Sequence, residues 1–377
     1  MERRRGGNIE NKPIKGIYIH IPFCSLKCPY CDFLSITNTD QNLHKKYINF
    51  LIKELRLYKN KFQFNIETIY FGGGTPSLIS SNLIEKVIRF IKENFTCIQN
   101  LEITLEANPN TLSLEEIKIL KEAGVNRISI GNQSFNRKTL QKLGRDHNQK
   151  QTVKLIDNCI KAEITNINLD LIYGVEDQNL KDLKKDLNRY TNLPITHISA
   201  YMLTAYNDTP LGSMVLDGKY KLPGEEETIE MFYLINETLE KKGFYRYELS
   251  NWAKKGYECK HNIFYWVDEY YLGVGVSASS YIKDFRFTNT KNLSAYFEKL
   301  SNNELPVEYK EKLTKKDKNF EKVMLGLRTI WGVELDLVNL SKAKILVDNG
   351  FGYIKDNRLI LNIKGLSVIN EIVLQLT

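Results

Sequence analysis

Cys24, Cys28 and Cys31 form a C-x3-C-x2-C triplet just after the apolar run Gly16-Ile17-Tyr18-Ile19-His20-Ile21. Three thiolates at this spacing can hold three irons of a cubane and leave the fourth iron without a protein ligand. Clusters that only pass electrons are closed by four cysteines, whereas an open position on a metal centre lets a small molecule bind and react there. The plainer alternative is three unrelated core cysteines, but cysteines clustered in a reducing compartment more often bind metal or react than pack. Cys97, Cys159 and Cys259 are scattered singly and do not read as a disulfide framework.

Further groups able to do chemistry follow the triplet. Phe71-Gly72-Gly73-Gly74-Thr75-Pro76 combines backbone freedom with a hydroxyl, so the chain can approach a ligand closely. It fits neither a phosphate-binding Walker loop nor a dinucleotide G-x-G-x-x-G fingerprint. Glu106, in Leu105-Glu106-Ala107-Asn108-Pro109, can accept two hydroxyl hydrogen bonds with full charge assistance, or it can be a solvent-facing helix cap. Gln133, Arg145 and Asp170 are further polar residues at strand ends or in the loops after them, and each taken singly could be structural. Late in the chain, His261-Asn262-Ile263-Phe264-Tyr265-Trp266 offers an imidazole able to ligate a metal and two flat apolar rings beside it. The competing reading is a histidine held by hydrogen bonds beside core aromatics.

The elements that must position these residues alternate through the first two hundred positions. Short runs rich in Ile, Leu, Val and Tyr predict strands at Ile17 to Ile21, Thr68 to Phe71, Leu101 to Leu105, Arg127 to Ile130, Asn166 to Ile172 and His197 to Met202. Amphipathic stretches predict helices at Gln41 to Tyr58, Asn82 to Asn94, Leu114 to Ala123, Lys150 to Lys161 and Leu180 to Tyr190. This rhythm is that of an α/β fold whose parallel strands are covered on both faces. In such folds functional groups gather at the carboxyl ends of the strands, where the motifs fall. The expected division is a tail over 1–15, a six-unit strand–helix core over 16–203, a connecting region over 204–312 and a small carboxyl-terminal domain over 313–377. The last reads as helices around a hairpin turning at Asp356-Asn357, a winged-helix-like pattern.

The string Tyr-Ile-His-Ile-Pro-Phe-Cys-x3-Cys-Pro-Tyr-Cys-Asp-Phe resembles the radical S-adenosylmethionine superfamily, in particular its HemN/HemW branch. That resemblance implies a partial (β/α)6 barrel and a [4Fe-4S] cluster on Cys24, Cys28 and Cys31 with S-adenosylmethionine on its open iron. The reaction implied is reductive cleavage of the sulfonium to methionine and a 5′-deoxyadenosyl radical. By position it assigns Tyr18, Gly73, Gly74, Thr75, Glu106, Gln133, Arg145 and Asp170 to S-adenosylmethionine, and His261, Tyr265 and Trp266 to heme. Cys259 could also reach an iron.

Within the branch, the segments Gly243 to Asn251 and Gly256 to Trp266, with the terminal domain, look like the heme chaperones, HemW. The oxygen-independent coproporphyrinogen III oxidases, HemN, carry a fourth cysteine two residues after the third, where Phe33 stands here, and have a longer segment ahead of the first strand. The implied function is a chaperone that binds heme and passes it to acceptors such as respiratory-chain hemoproteins, with a separate reductant for the cluster; the oxidase is the alternative. Two departures from the chaperone pattern are Ser279, where a histidine is usual, and Asn132, where an apolar residue is usual.

The formal charge of +8 comes from lysines spread along the chain, a solvated surface more than a nucleic-acid groove. A radical enzyme modifying tRNA would suit the charge, but no recognisable RNA-binding module follows the barrel. The amino-terminal Arg3-Arg4-Arg5 has no apolar segment behind it, so neither signal peptide nor anchor is expected. No apolar stretch reaches the length of a membrane span, which leaves at most peripheral membrane contact. A cytoplasmic location, reducing enough for such a cluster, is the expectation.

Overall fold

The structure, a computed structural model, describes residues 12–38 and 40–377. Of the expected tail, residues 1–11 with the Arg3-Arg4-Arg5 run lie outside the described residues. Residues 14 and 15 already belong to the first strand.

The first half alternates as expected. Strand β1 (Ile14–Ile21) is followed by the two-residue strands β2 (Phe23–Cys24) and β3 (Ile36–Thr37), helix α1 (Gln41–Lys59), β4 (Phe64–Gly73), α2 (Ser81–Asn94) and β5 (Cys97–Ala107). Then come α3 (Leu114–Ala123), β6 (Arg127–Gln133), a short α4 (Arg137–Lys142), α5 (Gln149–Lys161), β7 (Asn166–Tyr173), α6 (Leu180–Thr191) and β8 (His197–Met202). Local chemistry fixes the helix ends: Ser113 and Glu116 form a reciprocal capping box at the start of α3, and Gly124 ends it at φ 110°. β1 and β4 to β8 run parallel in that spatial order.

The two faces of this sheet differ more than near-continuous apolar strands would suggest. Successive strand side chains alternate in direction. The outward set, including Ile17, Ile19, Ile69, Phe71, Ile103, Leu105, Ile128, Ile130, Leu169 and Leu171, is buried under the helices. The inward set is polar and aromatic: Tyr18 and His20, Thr68 and Tyr70, Glu102 and Glu106, Arg127 and Ser129, Asn168 and Asp170, His197 and Ser199. Registry places these in shared layers, with Gly16 beside Thr68, Tyr18 beside Tyr70, and Asp170 beside Ser199.

The region over 204–312 does more than connect. After α7 (Pro210–Leu216) and α8 (Glu225–Lys241), β9 (Tyr245–Glu248) and β10 (Asn251–Ala253) extend the sheet beyond β8. After α9 (Lys260–Trp266), β11 (Tyr271–Val274) pairs in parallel with β1, and β12 (Ser279–Ile282), β13 (Phe285–Asn289) and β14 (Val307–Lys312) continue outward. One twelve-stranded sheet results, with the six expected strands at its centre. Buried Glu54 of α1 fastens this extension by accepting from Gly275 N–H (2.9 Å), Asn289 Nδ2 (2.7 Å) and the Tyr296 hydroxyl (2.7 Å) in α10 (Leu293–Ser301).

The carboxyl-terminal part contains α11 (Lys315–Gly326), β15 (Val333–Glu334), α12 (Leu340–Asp348), β16 (Gly352–Lys355), β17 (Arg358–Leu361), α13 (Ile363–Ser367) and α14 (Ile369–Leu376). The hairpin turns at Asp356 (φ 49°) and Asn357 (φ 60°), the left-handed pair of a tight two-residue turn. Its apolar residues are continuous with the main core.

Candidate functional site

A cavity of about 580 Å³ opens at the carboxyl ends of the parallel strands. Cys24, Cys28 and Cys31 line it together with Gly73, Gly74, Thr75, Glu106, Gln133, Arg145 and Asp170. Of the residues expected at S-adenosylmethionine only Tyr18 stands off the lining. It lies one layer below, its hydroxyl 3.1 Å from His20 Nδ1 and its ring against Tyr70.

The cysteine loop is held by backbone and by close packing. Gly74 N–H donates to Ile21 O (2.8 Å) and Thr75 N–H to Phe23 O (2.8 Å). A Cβ on Gly74 would come 2.8 Å from Phe23 O and 3.0 Å from Cys24 Sγ, so the glycine is required by proximity. Thr75 Oγ1 lies 3.5 Å from Cys24 Sγ, and Arg145 Nη1 donates to Cys28 Sγ at 3.5 Å. His20 Nε2 meets Leu34 O at 3.0 Å, tying the far arm of the loop to β1. All three thiols are free. Among the described residues no three His, Cys, Asp or Glu side chains are placed to hold a single metal ion; a cubane asks instead for one thiolate per iron, which free cysteines facing one cavity suit.

Opposite the loop, Glu106 accepts the Tyr70 hydroxyl on Oε1 (2.8 Å) and Gly73 N–H on Oε2 (3.2 Å). Burial pushes its pKa up to about 7; nearby Asp170 adds to the rise, and these two hydrogen bonds oppose it. Asp170 accepts from Asn168 Nδ2 (2.7 Å) and is raised to about 6, again by burial. Gln133 sits at an irregularity in the β6–β7 register with φ 66°, a left-handed conformation rare for a side chain of its size. Its buried Oε1 has no hydrogen-bond partner, as does Arg145 Nε. Unpaired buried polar atoms are costly unless something meets them, and backbone strain of this kind collects at functional sites. Arg145 Nη2 donates to Asn108 Oδ1 (2.8 Å) and Gly131 O (2.6 Å), and Asn108 Nδ2 reaches Thr75 Oγ1 (3.2 Å). Asn108 and His20 therefore join the site as positioning residues. Their signal in the sequence was adjacency to Glu106 and to Tyr18.

This donor set fits an iron–sulfur cluster with an amino-acid nucleoside beside it. Cys24, Cys28 and Cys31 would hold the cluster, while the Gly73 to Thr75 backbone, Glu106, Gln133, Arg145 and Asp170 would hold S-adenosylmethionine. When bound, the cluster supplies one electron to the sulfonium. The protein's part is to orient the two groups and exclude water.

Residues 18–189 match the Radical SAM superfamily. The chain is 38% identical over 316 residues to the heme chaperone HemW of Lactococcus lactis subsp. lactis (strain IL1403), spanning 84% of this chain and 82% of that one. To the heme chaperone HemW of Bacillus subtilis (strain 168) it is 34% identical, over 95% of this chain and 98% of the relative. The chain belongs to the HemW family of radical SAM proteins. Among solved structures, coproporphyrinogen III oxidase (HemN) from Escherichia coli, a radical SAM enzyme, superposes with a TM-score of 0.83 at 21% identity, covering 97% of this chain and 90% of that one, a likeness of fold.

The structure separates the expected heme trio from the cavity. His261 is buried beneath the barrel on α9, its Nδ1 2.6 Å from Thr68 Oγ1 and its Nε2 2.8 Å from the Tyr265 hydroxyl, with its ring stacked on Tyr70. Burial lowers its pKa to about 3. Both of its ring nitrogens are thus engaged, the arrangement of a histidine held by hydrogen bonds beside core aromatics. Tyr265 packs edge-on against Tyr271 and Trp266 ends the helix half-buried. Cys259 is fully buried, its thiol 3.7 Å from Glu102 Oε1. The two departures from the HemW pattern also have places: Ser279 is exposed and meets Thr288 Oγ1 at 2.8 Å. Asn132 is buried, donating to the Tyr190 hydroxyl (2.7 Å) and accepting from Thr152 Oγ1 (2.7 Å), so its polar side chain is paired.

Proposed function

We propose that this protein carries heme and passes it to acceptor hemoproteins, on a scaffold that binds a [4Fe-4S] cluster through Cys24, Cys28 and Cys31 and S-adenosylmethionine through the strand-end residues. The observation that carries this reading is its kinship, over nearly the whole chain, with proteins named heme chaperones. Supporting it at the site, three free cysteines face the same cavity as Glu106, Asp170 and the unpaired Gln133. Phe33 stands where the oxidase pattern has its fourth cysteine, and the likeness to the oxidase is one of fold. Among the described residues no helix is long and apolar enough to cross a membrane.

Anaerobic reconstitution followed by parallel assays tests the reading. Heme should be retained and then lost to an apo-hemoprotein, while coproporphyrinogen III should not be decarboxylated with turnover. Repeated turnover without heme retention would replace the carrier with the oxidase.

A further inference from the structure

The mouth of the cavity is rimmed by apolar side chains with no part in the contacts described so far. Leu26 and Phe33, on the two arms of the cysteine loop, are 53% and 59% exposed. Tyr201 and Met202 end β8 and Tyr206 follows it, at 42%, 52% and 47%. All five line the same cavity, whereas exposed apolar residues scattered singly would need no explanation. Lys27, exposed between Leu26 and Cys28, lines it too and supplies a cation at the rim.

This combination has a definite chemical preference. Aromatic and aliphatic faces from two separate segments around one cavity suit a flat apolar ligand, an ammonium at the edge suits a ligand carboxylate, and methionine and tyrosine are both side chains that ligate heme iron. The helix that carries His261 offers no free imidazole, since both ring nitrogens are committed to Thr68 and Tyr265.

We propose that heme binds across the mouth of the barrel, between Leu26 and Phe33 of the cysteine loop and Met202 and Tyr206 at the end of β8, with a propionate toward Lys27. This rests on the heme-carrier reading and moves its site from α9 to the rim. The iron then lies on the same side of the sheet as the cysteine loop, so occupancy of the cavity and occupancy of the rim are spatially linked.

The test is a heme titration of the reconstituted full chain, read by absorbance with iron and sulfide content measured in each sample. Two double variants remove the apolar pair of one segment each: Leu26→Ser with Phe33→Ser, and Met202→Ser with Tyr206→Ser. Loss of two apolar contacts should weaken heme binding by about ten-fold or more in each. Of the single variants Met202→Leu and Tyr206→Phe, one should alter the spectrum by removing an axial ligand. His261→Gln, which keeps a hydrogen-bonding side chain on α9, should leave the spectrum as it is. Unchanged affinity in both double variants overturns the rim site and leaves the carrier reading standing. Variants that bind heme normally but fail to deliver it also overturn it, by making the rim a protein-docking surface. A wild-type chain that binds no heme overturns the carrier reading itself.

Discussion

Glu102 and Glu106 project from one strand into one barrel, four residues apart, and meet opposite fates. Glu102 is closed off: its carboxylate accepts the N–H groups of Lys260 and His261 at 3.1 Å each, so the first turn of α9 is anchored on it. Glu106 takes one hydroxyl and one backbone N–H, and it faces the cavity. Near Glu102, His261 and Cys259 are partnered while Arg127 Nε is not; around Glu106, Gln133 and Arg145 hold unpaired atoms and line the cavity. Residue type alone therefore does not mark function in this barrel. What separates the two carboxylates is that one is enclosed by the N–H groups of α9 and the other faces the cavity.

The largest expected effect pits cysteine against cysteine. Cys28→Ala should abolish the cluster, whereas Cys259→Ala on the barrel floor should keep full iron and sulfide; loss of iron in both would erase the contrast. Next come the glutamates. Glu102→Ala strands the buried His261 N–H and the part-buried Lys260 N–H, at about 1 to 3 kcal/mol each, and should lower denaturant stability by about 2 to 6 kcal/mol. Glu106→Ala should instead weaken S-adenosylmethionine binding by roughly ten- to hundred-fold, and isothermal titration separates the two outcomes.

Acidity sharpens the same contrast. Glu106 is held at about 7, above the ordinary carboxylate range. The folded state thus favours its protonated form, so its contribution to stability is full below the unfolded value and is lost as pH rises through about 7. Ligand binding runs the other way, because ribose hydroxyls need the carboxylate ionised. Affinity for S-adenosylmethionine should rise roughly ten-fold between pH 6 and pH 8, with Asp170, near 6, steepening the lower limb. Glu106→Gln should remove the dependence centred near 7, and its survival in that variant would assign the titration elsewhere. The smallest effect is at Gln133. Since its φ is 66°, Gln133→Gly should be more stable than Gln133→Ala by about 1 kcal/mol, the reverse of their order at an ordinary strand position.

Much of this was legible in the chain. The apolar runs located all six central strands, and α3 matches the expected Leu114 to Ala123 residue for residue. The cysteines, Gly73 to Thr75, Glu106, Gln133, Arg145 and Asp170 converge as the motif order implied. The polar inward faces were present too, in strings such as Glu102-Ile103-Thr104-Leu105-Glu106, but the buried isoleucines and leucines dominate a reading of apolar content. What local patterns could not carry is partnership at a distance. The bond between Thr68 and His261 spans 193 residues, and nothing near either residue announces it. The same holds for β11, whose partner β1 lies some 250 positions earlier and is chosen by the closing of the sheet.

That last pairing bears on how the chain can be divided. The match to the superfamily ends at residue 189. That position is not a boundary of folding, because β1 needs β11 and β8 needs β10. A fragment cut near residue 203 would keep every cysteine of the triplet yet expose two long hydrogen-bonding edges, the kind of surface on which chains zip together into aggregates. Whatever the late half of the chain does for heme, it also serves as the hem that stops the early half from unravelling.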